Sequence, residues 1–353
     1  MAARHKWDGS EADTILRRMR ADGCTSNEIA TALGRSLNSV ENRLRVIKVG
    51  GLPRPVTDAH SSLESPIPQW LDELRPIAMP APEPARAITT ANAYTLVIGD
   101  QHFPQQCEQT ESIFLDVVAQ LRPARVILNG DTVDLLAVSK YPKDQRFTWT
   151  LREEVTAFHG FLHRLMSIGN AWGLRVLETE ANHSGNGTAS RWHRYLSDRV
   201  PALYAHPDAQ TKLGYQEWFY PTWCPITLVE SVVVADDLLV LHGDIVRKHA
   251  AYSARAHGEK WHSSIMHSHT HRSGSGIERI PGVGSRSEAV RRVYEIGCGC
   301  RLDPSYASVP NWTNGFAIIS HDDDTGHYGV EQVTVTRGAA AVSTLGSTVR
   351  AAA

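Results

Sequence analysis

The chain has 353 residues, 42% of them hydrophobic and 21% charged, with a formal net charge of −2. That is enough for two domains, at least one with a large core, and the near-neutral balance leaves any nucleic-acid partner to be met by a local patch. The first seven residues hold no apolar h-region and no apolar run approaches membrane-spanning length, so the expectation is a soluble, cytoplasmic chain with no membrane partner.

Residues 1–49 read as one small domain, with three short helices over 7–48. The first starts near Ser10, carries Ala12, Ile15, Leu16 and Met19 on one face and is stopped by Gly23. The second is capped by Thr25 or Ser26 and buries Ile29, Ala30 and Leu33. Gly34 then breaks the chain, and Ser36 caps a third helix with the stripe Val40, Leu44 and Ile47. Two short helices joined by a tight Gly turn fit a helix-turn-helix unit. Residues 1–50 hold nine Lys/Arg against six Asp/Glu, and the third helix concentrates the excess. On it Asn38, Ser39, Asn42 and Arg43 are placed to reach base edges, with Arg35, Arg45 and Lys48 on phosphates. DNA is therefore the expected partner of this segment, against the plainer reading of a helical bundle for protein docking.

Residues 50–92 contain eight of the chain's 18 prolines and are expected to form a semi-extended linker, with one helical turn at 69–74. From residue 93 to 338 strands and helices alternate. Buried strands are expected at 95–98, 126–128 and 176–177, and helices at 109–121 and 151–168. Later strands are expected at 232–241, 293–296, 316–319 and 330–335. The fold class is thus α/β with more than one sheet. Residues 339–353, rich in Ala, Ser, Thr and Gly, are expected to be a disordered tail.

The chemistry sits in this second segment. Asp100 and His102 follow one apolar run and Gly130-Asp131 another. Asn182-His183 follows a third, His242-Gly243-Asp244 a fourth, and His269-Thr270-His271 closes the series. Carboxylates, imidazoles and an amide set where strands end are what a site for two divalent cations requires. Asp134 reads as an orienting or capping residue. His249, His257 and His262 read as lacking a metal role, Cys298 and Cys300 as reduced structural thiols, and Asp322-Asp323-Asp324 as a hairpin turn completed by Thr325-Gly326.

The order Asp-x-His, Gly-Asp-x-x-Asp, Asn-His, His-Gly and His-x-His resembles the calcineurin-like metallophosphoesterase superfamily over residues 94–336. The stretch from Glu295 to Phe316 resembles its bacteriophage-type branch more loosely, and residues 28–40 resemble sigma-factor or Myb-like helix-turn-helix segments. The resemblance implies a four-layer α/β/β/α sandwich. It implies that Asp100, His102 and His271 hold one metal, that Asn182, His242 and His269 hold the other, and that Asp131 bridges them. His183 would be the general acid or transition-state stabiliser. Ligation without thiolate suits Mn²⁺ first, with Fe or Zn²⁺ as alternatives. Ala181 and Ser268 replace the family's usual glycines, and Ser184 replaces a frequent acidic residue. His267-Ser268-His269 has the same spacing as 269/271, which matches the family pattern better through Thr270 and Arg272. The expected function is a two-metal phosphoesterase, foremost a phosphodiesterase or nuclease on DNA. The alternatives are a phosphomonoesterase or protein phosphatase localised by the helices, and a DNA-binding regulator with an inactive phosphoesterase domain.

Overall fold

The computed structural model of the chain describes residues 15, 16, 19, 26–34 and 40, and then 92–141, 147–188, 190–205, 212–235, 237–282, 288–304, 309–322 and 325–351. The chain divides into two compact units, Met1–Ser62 and Leu63–Ala353, at a point inside the expected linker. In the first unit helix α1 (Ser26–Ala32) buries Ile29 and Ala30 against Leu16 and Val40, with Met19 and Leu33 partly buried beside them. These are apolar positions expected of a small helical core. The remainder of the helix-turn-helix reading, including Arg35, Asn38, Ser39, Asn42, Arg43, Arg45 and Lys48, lies outside the described residues, as does the linker up to residue 91.

The second unit contains two main sheets. One has the order β11 (Tyr328–Thr334), β10 (Gly315–His321), β1 (Asn92–Ile98), β2 (Pro123–Leu128), β3 (Arg175–Thr179), β4 (Ile226–Val229), and its last four strands are mutually parallel. The other has the order β5 (Val232–Val234), β6 (Leu238–Leu241), β7 (Ser264–His267), β9 (Ala289–Ile296), β8 (Ser273–Ile280), with β6, β7 and β9 parallel. The expected strand 232–241 is corrected. It folds back on itself as the antiparallel pair β5/β6, turning at Ala235, whose φ is 59°.

The layers follow from period-two alternation along the strands. In β1, Leu96 and Ile98 enter a core shared with α2 (Glu108–Leu121) and α3 (Leu151–Gly169), while Val97 points the other way into a core between the sheets. Strand β2 splits likewise, with Val126 and Leu128 against Ile127, and β10 with Phe316 and Ile318 against Ala317 and Ile319. The second sheet completes the stack. Val240 and Met266 face the inter-sheet core, while Leu239, Leu241 and Ile265 turn outward to Trp261 of α5 (Tyr252–Trp261). The result is helices, sheet, sheet, helix. α3 begins with a reciprocal capping box between Thr150 and Glu153.

The tail expectation is also corrected. Residues 339–350 form the hairpin β12 (Ala339–Val342) and β13 (Ser347–Arg350), and Ala340, Val342 and Val349 are buried in the helix-side core. Among the described residues no helix is long and apolar enough to cross a membrane.

Candidate metal centre

Strands β1, β2, β3, β6 and β7 all deliver chemically active residues just beyond their carboxyl ends, the position where open α/β sheets place ligand sites. Two glycines make the approach possible. A Cβ on Gly99 would lie 2.1 Å from Ser268 Oγ, and one on Gly130 would lie 2.7 Å from His242 Nδ1. Backbone strain collects at the same place. Among the described residues eleven non-glycine residues have positive φ, and five of them are Asp100, His102, Asp131, His269 and His271. Left-handed backbone at non-glycine residues is costly and persists where the surrounding structure enforces it, typically at functional sites.

The side chains converge in two overlapping groups. In the first, Asp100 Oδ1 lies 3.2 Å from His271 Nε2, and His102 Nε2 lies 3.3 Å from the same nitrogen. In the second, His242 Nε2 lies 3.3 Å from Asp131 Oδ2 and 3.1 Å from Asn182 Oδ1, with the His269 ring 5.1 Å from that of His242. Asp131 stands between them, and one ligand atom each from Asp131, His242 and His269 lie within 4.8 Å of one another. His267, the alternative in the ambiguous register, is buried on the other side, 3.6 Å from Glu295 Oε1.

The hydrogen-bond bookkeeping indicates what these groups can hold. His242 Nδ1 is 2.9 Å from the carbonyl of Asn129, to which it donates. Its Nε2 is aimed at a carboxylate oxygen and an amide oxygen, and offers a lone pair to a cation once it gives up its proton. His102 repeats the arrangement, with Nδ1 donating to Asp134 Oδ1 at 3.1 Å and Nε2 turned toward His271 and Asp100. Asp100 Oδ1 is buried without a hydrogen-bond donor among the described residues. Acceptors gathered at such separations need positive charge between them, supplied by protons or by cations. The titration directions agree. Burial disfavours charge on His242, but Asp131 outweighs it and pushes the ring up to about 9. Burial would raise Asp131, yet His183 and His242 hold it well below the carboxylate range. Asp100 is likewise buried but held low by His271. Burial, followed by the charge of His242, lowers His269 to about 4. The donor set therefore fits one or two divalent cations.

Asp134, expected to orient a neighbouring group or cap a segment, sits between His102 and His183 Nδ1, the latter 3.2 Å away. Other contributors were not legible as site residues. Arg191, from α4 (Arg191–Arg199), donates to His183 Nε2 at 2.7 Å and to the backbone carbonyl of Asp134 at 2.5 Å. Burial lowers the His183 pKa more than Asp131 and Asp134 raise it. His257 was read as having no metal role, and its Nε2 instead accepts from the amides of Asp244 and Ile245 at 3.3 Å, fixing the loop after His242. Cys300 Sγ lies 3.8 Å from His271 Nδ1, and its thiol, hydrogen-bonded to Cys298 and buried, is held well above its ordinary pKa. Ser184, the family's missing acid, accepts from the amide of Asp131 at 3.2 Å. Asp322 accepts from Thr325 and Gly326, as the expected turn requires, while Asp323 and Asp324 lie outside the described residues.

No family model matches the chain, and no curated protein matches it. Among solved structures it is similar to Vps29 from three organisms. These are a single mutant from Entamoeba histolytica (12% identity, TM-score 0.33, 69% of this chain and 99% of that one) and the Chaetomium thermophilum protein (13%, 0.30, 69% and 96%). The third is Vacuolar Protein Sorting 29 from Cryptosporidium parvum (13%, 0.31, 70% and 100%). Scores this low leave the functional reading to the geometry of the site.

Proposed function

We propose that the second unit is a calcineurin-like phosphoesterase domain that binds two divalent cations and hydrolyses phosphate esters, foremost phosphodiesters. The observation that carries this reading is the cage of converging nitrogen and oxygen ligands: Asp100, His102 and His271 on one side, Asn182, His242 and His269 on the other, with Asp131 shared. Asp131 suits the bridging place because a carboxylate oxygen of it lies within 4.8 Å of ligand atoms of His102 and His183 in one group and of His242 and His269 in another. Oδ1 accepts from the His183 amide at 2.8 Å, and Oδ2 faces His242. Bound there, a pair of cations would supply Lewis-acid activation of water and neutralise phosphoryl charge.

The remaining chemistry belongs to the chain's own residues. Asp134 anchors His102 and His183, fixing the ring positions on either side of Asp131. His183 Nε2 accepts from Arg191, and it can hydrogen-bond a phosphoryl or leaving oxygen from a fixed position once Arg191 turns to the phosphate and that nitrogen carries a proton. Arg191 is the permanent cation at that edge, and its bond to His183 Nε2 can be exchanged for one to a phosphoryl oxygen. Mn²⁺ is the metal proposed first, since mixed His, Asp and Asn ligation is hard enough for it and open enough for catalysis. DNA as the physiological substrate rests on the basic third helix expected in the first unit.

The test is to load the protein with Mn²⁺ and measure metal content and turnover of bis-p-nitrophenyl phosphate beside p-nitrophenyl phosphate. Two metals per chain with diester turnover is the expected result. Monoester turnover alone would make the domain a phosphomonoesterase, and absence of metal binding would overturn the reading entirely.

A further inference from the structure

A cavity of about 480 Å³ opens beside the metal centre, between the segment 137–141 and helix α4. Its lining includes Lys140, Arg191, Arg194 and Arg199 against the single carboxylate of Asp198, together with Tyr141 and Tyr195. The α4 residues recur at i, i+3, i+4, i+7 and i+8, one face of a helix, while Trp192 and Leu196 on the opposite face are buried. From Arg191 to Arg199 this row of cations runs about 12 Å at helical rise. Its inner end is Arg191, already in contact with His183 and Asp134, so the row starts at the metal centre and leads outward. Arg199 and Lys140 are exposed, and among the described residues Arg194 and Arg199 form no salt bridge. The two tyrosines lie in the same cavity, Tyr141 60% exposed and Tyr195 stacked at 5.9 Å on the buried Trp192, which holds its ring in place.

A row of arginines, the outer two without a salt bridge among the described residues, calls for repeated negative charge along a chain, and aromatic faces among them call for planar groups between those charges. A phosphopeptide offers one phosphate and few planar groups; a duplex keeps its base faces stacked inside. We infer that this groove binds single-stranded nucleic acid, with Arg194 and Arg199 on backbone phosphates and Tyr141 and Tyr195 stacking on bases. It thereby leads a strand to the metal centre. The inference deepens the phosphoesterase reading by naming its substrate class, and it rests on that reading for the cleavage step but not for binding.

The experiment uses the full chain in EDTA, so binding is read without catalysis. Oligomers (dT)12 and (rU)12 carrying a photoreactive 4-thio base are cross-linked, and the attachment sites are mapped by mass spectrometry. Cross-links on peptides containing Tyr141 or Tyr195 are expected. The Arg194→Gln/Arg199→Gln variant should lose at least tenfold in cross-linking at those peptides, and its salt dependence should flatten by about 1.4 in log–log slope for two phosphate contacts. Turnover of bis-p-nitrophenyl phosphate should stay unchanged, which also shows the variant folded; Arg199→Glu, at an exposed position, gives a second variant for the same comparison. Comparing the two oligomers decides between DNA and RNA. Cross-links confined to residues 1–62, yields insensitive to both variants, or stronger competition by a phosphoserine peptide of equal charge would each overturn the inference. If the small diester is never turned over but the cross-links behave as expected, the catalytic reading fails while the binding site stands.

Discussion

At the level of single residues, charge placement separates holding metals from using them. His183 is not among the seven side chains proposed as ligands, and its ring is fixed by Asp134 and Arg191. His183→Ala should therefore leave two Mn²⁺ bound while slowing turnover by ~10²–10⁴, the range for a positioned hydrogen-bonding or proton-transfer group. An unchanged rate at full metal content would remove it from the mechanism. A second residue reports on stability. Glu178 on β3 is fully buried, with Tyr220 donating to it at 2.8 Å, and burial pushes its pKa up to about 7 from 4.5. A carboxyl raised on folding binds more protons in the native than in the unfolded state. Its contribution is intact below about pH 4.5 and is lost as pH rises through 7. The loss has an upper limit of about 3 kcal/mol. Glu178→Gln should flatten this dependence, so urea unfolding at pH 5.5 and 8.5 would show the wild type weaker at the higher pH and the variant much less so. Equal slopes in the two proteins would show that Glu178 is ionised throughout.

Among the elements, the strands that feed the site were readable because each pairs an apolar run with a polar residue at its end. Val97-Ile98 followed by Gly99-Asp100 is one instance, and Ile127-Leu128 followed by Asn129-Gly130-Asp131 is another. The alternation of Leu96, Val97 and Ile98 between two cores was not readable, since a strand buried on both faces is apolar at every position. Nor were Arg191 and His257 legible as parts of the site, for their roles depend on contacts across 8 to 57 positions of chain. The terminal hairpin was misread for a different reason. Ala339–Val342 and Ser347–Arg350 are small and polar, and only Ala340, Val342 and Val349 turn inward. Gly338 and Gly346, with φ of 67° and 63°, mark its turns. If the hairpin seals the helix-side core, Val342→Asp should destabilise the domain by at least ~2 kcal/mol, the cost of an unpaired buried charge that the chain cannot easily relieve. Chemical unfolding would show it. A midpoint within error of the wild type would mean the hairpin is dispensable.

For the whole molecule, the proposed metal centre draws on both sheets. Asp100, Asp131 and Asn182 come from the first sheet, and His242, His269 and His271 from the second. A ligand that binds only when all of these are assembled stabilises the native state by mass action. Saturating Mn²⁺ at about 100 times its dissociation constant should add ~2.7 kcal/mol per independent site, read as a rise in the thermal midpoint. Asp131→Asn removes the shared charge, so most of that rise should vanish while the metal-free midpoint changes little or increases. The coupling should also depend on pH with a definite sign. Asp131 pushes His242 up to about 9, and the ring must release its Nε2 proton before that nitrogen can ligate. Below that pH, Mn²⁺ affinity should climb by up to about tenfold per pH unit for the one proton displaced, and level off above it. Titrating Mn²⁺ against the thermal midpoint at pH 6, 7, 8 and 9 measures this directly. A pH-independent midpoint shift would mean that the cation does not meet His242, and the second metal would have to be placed elsewhere.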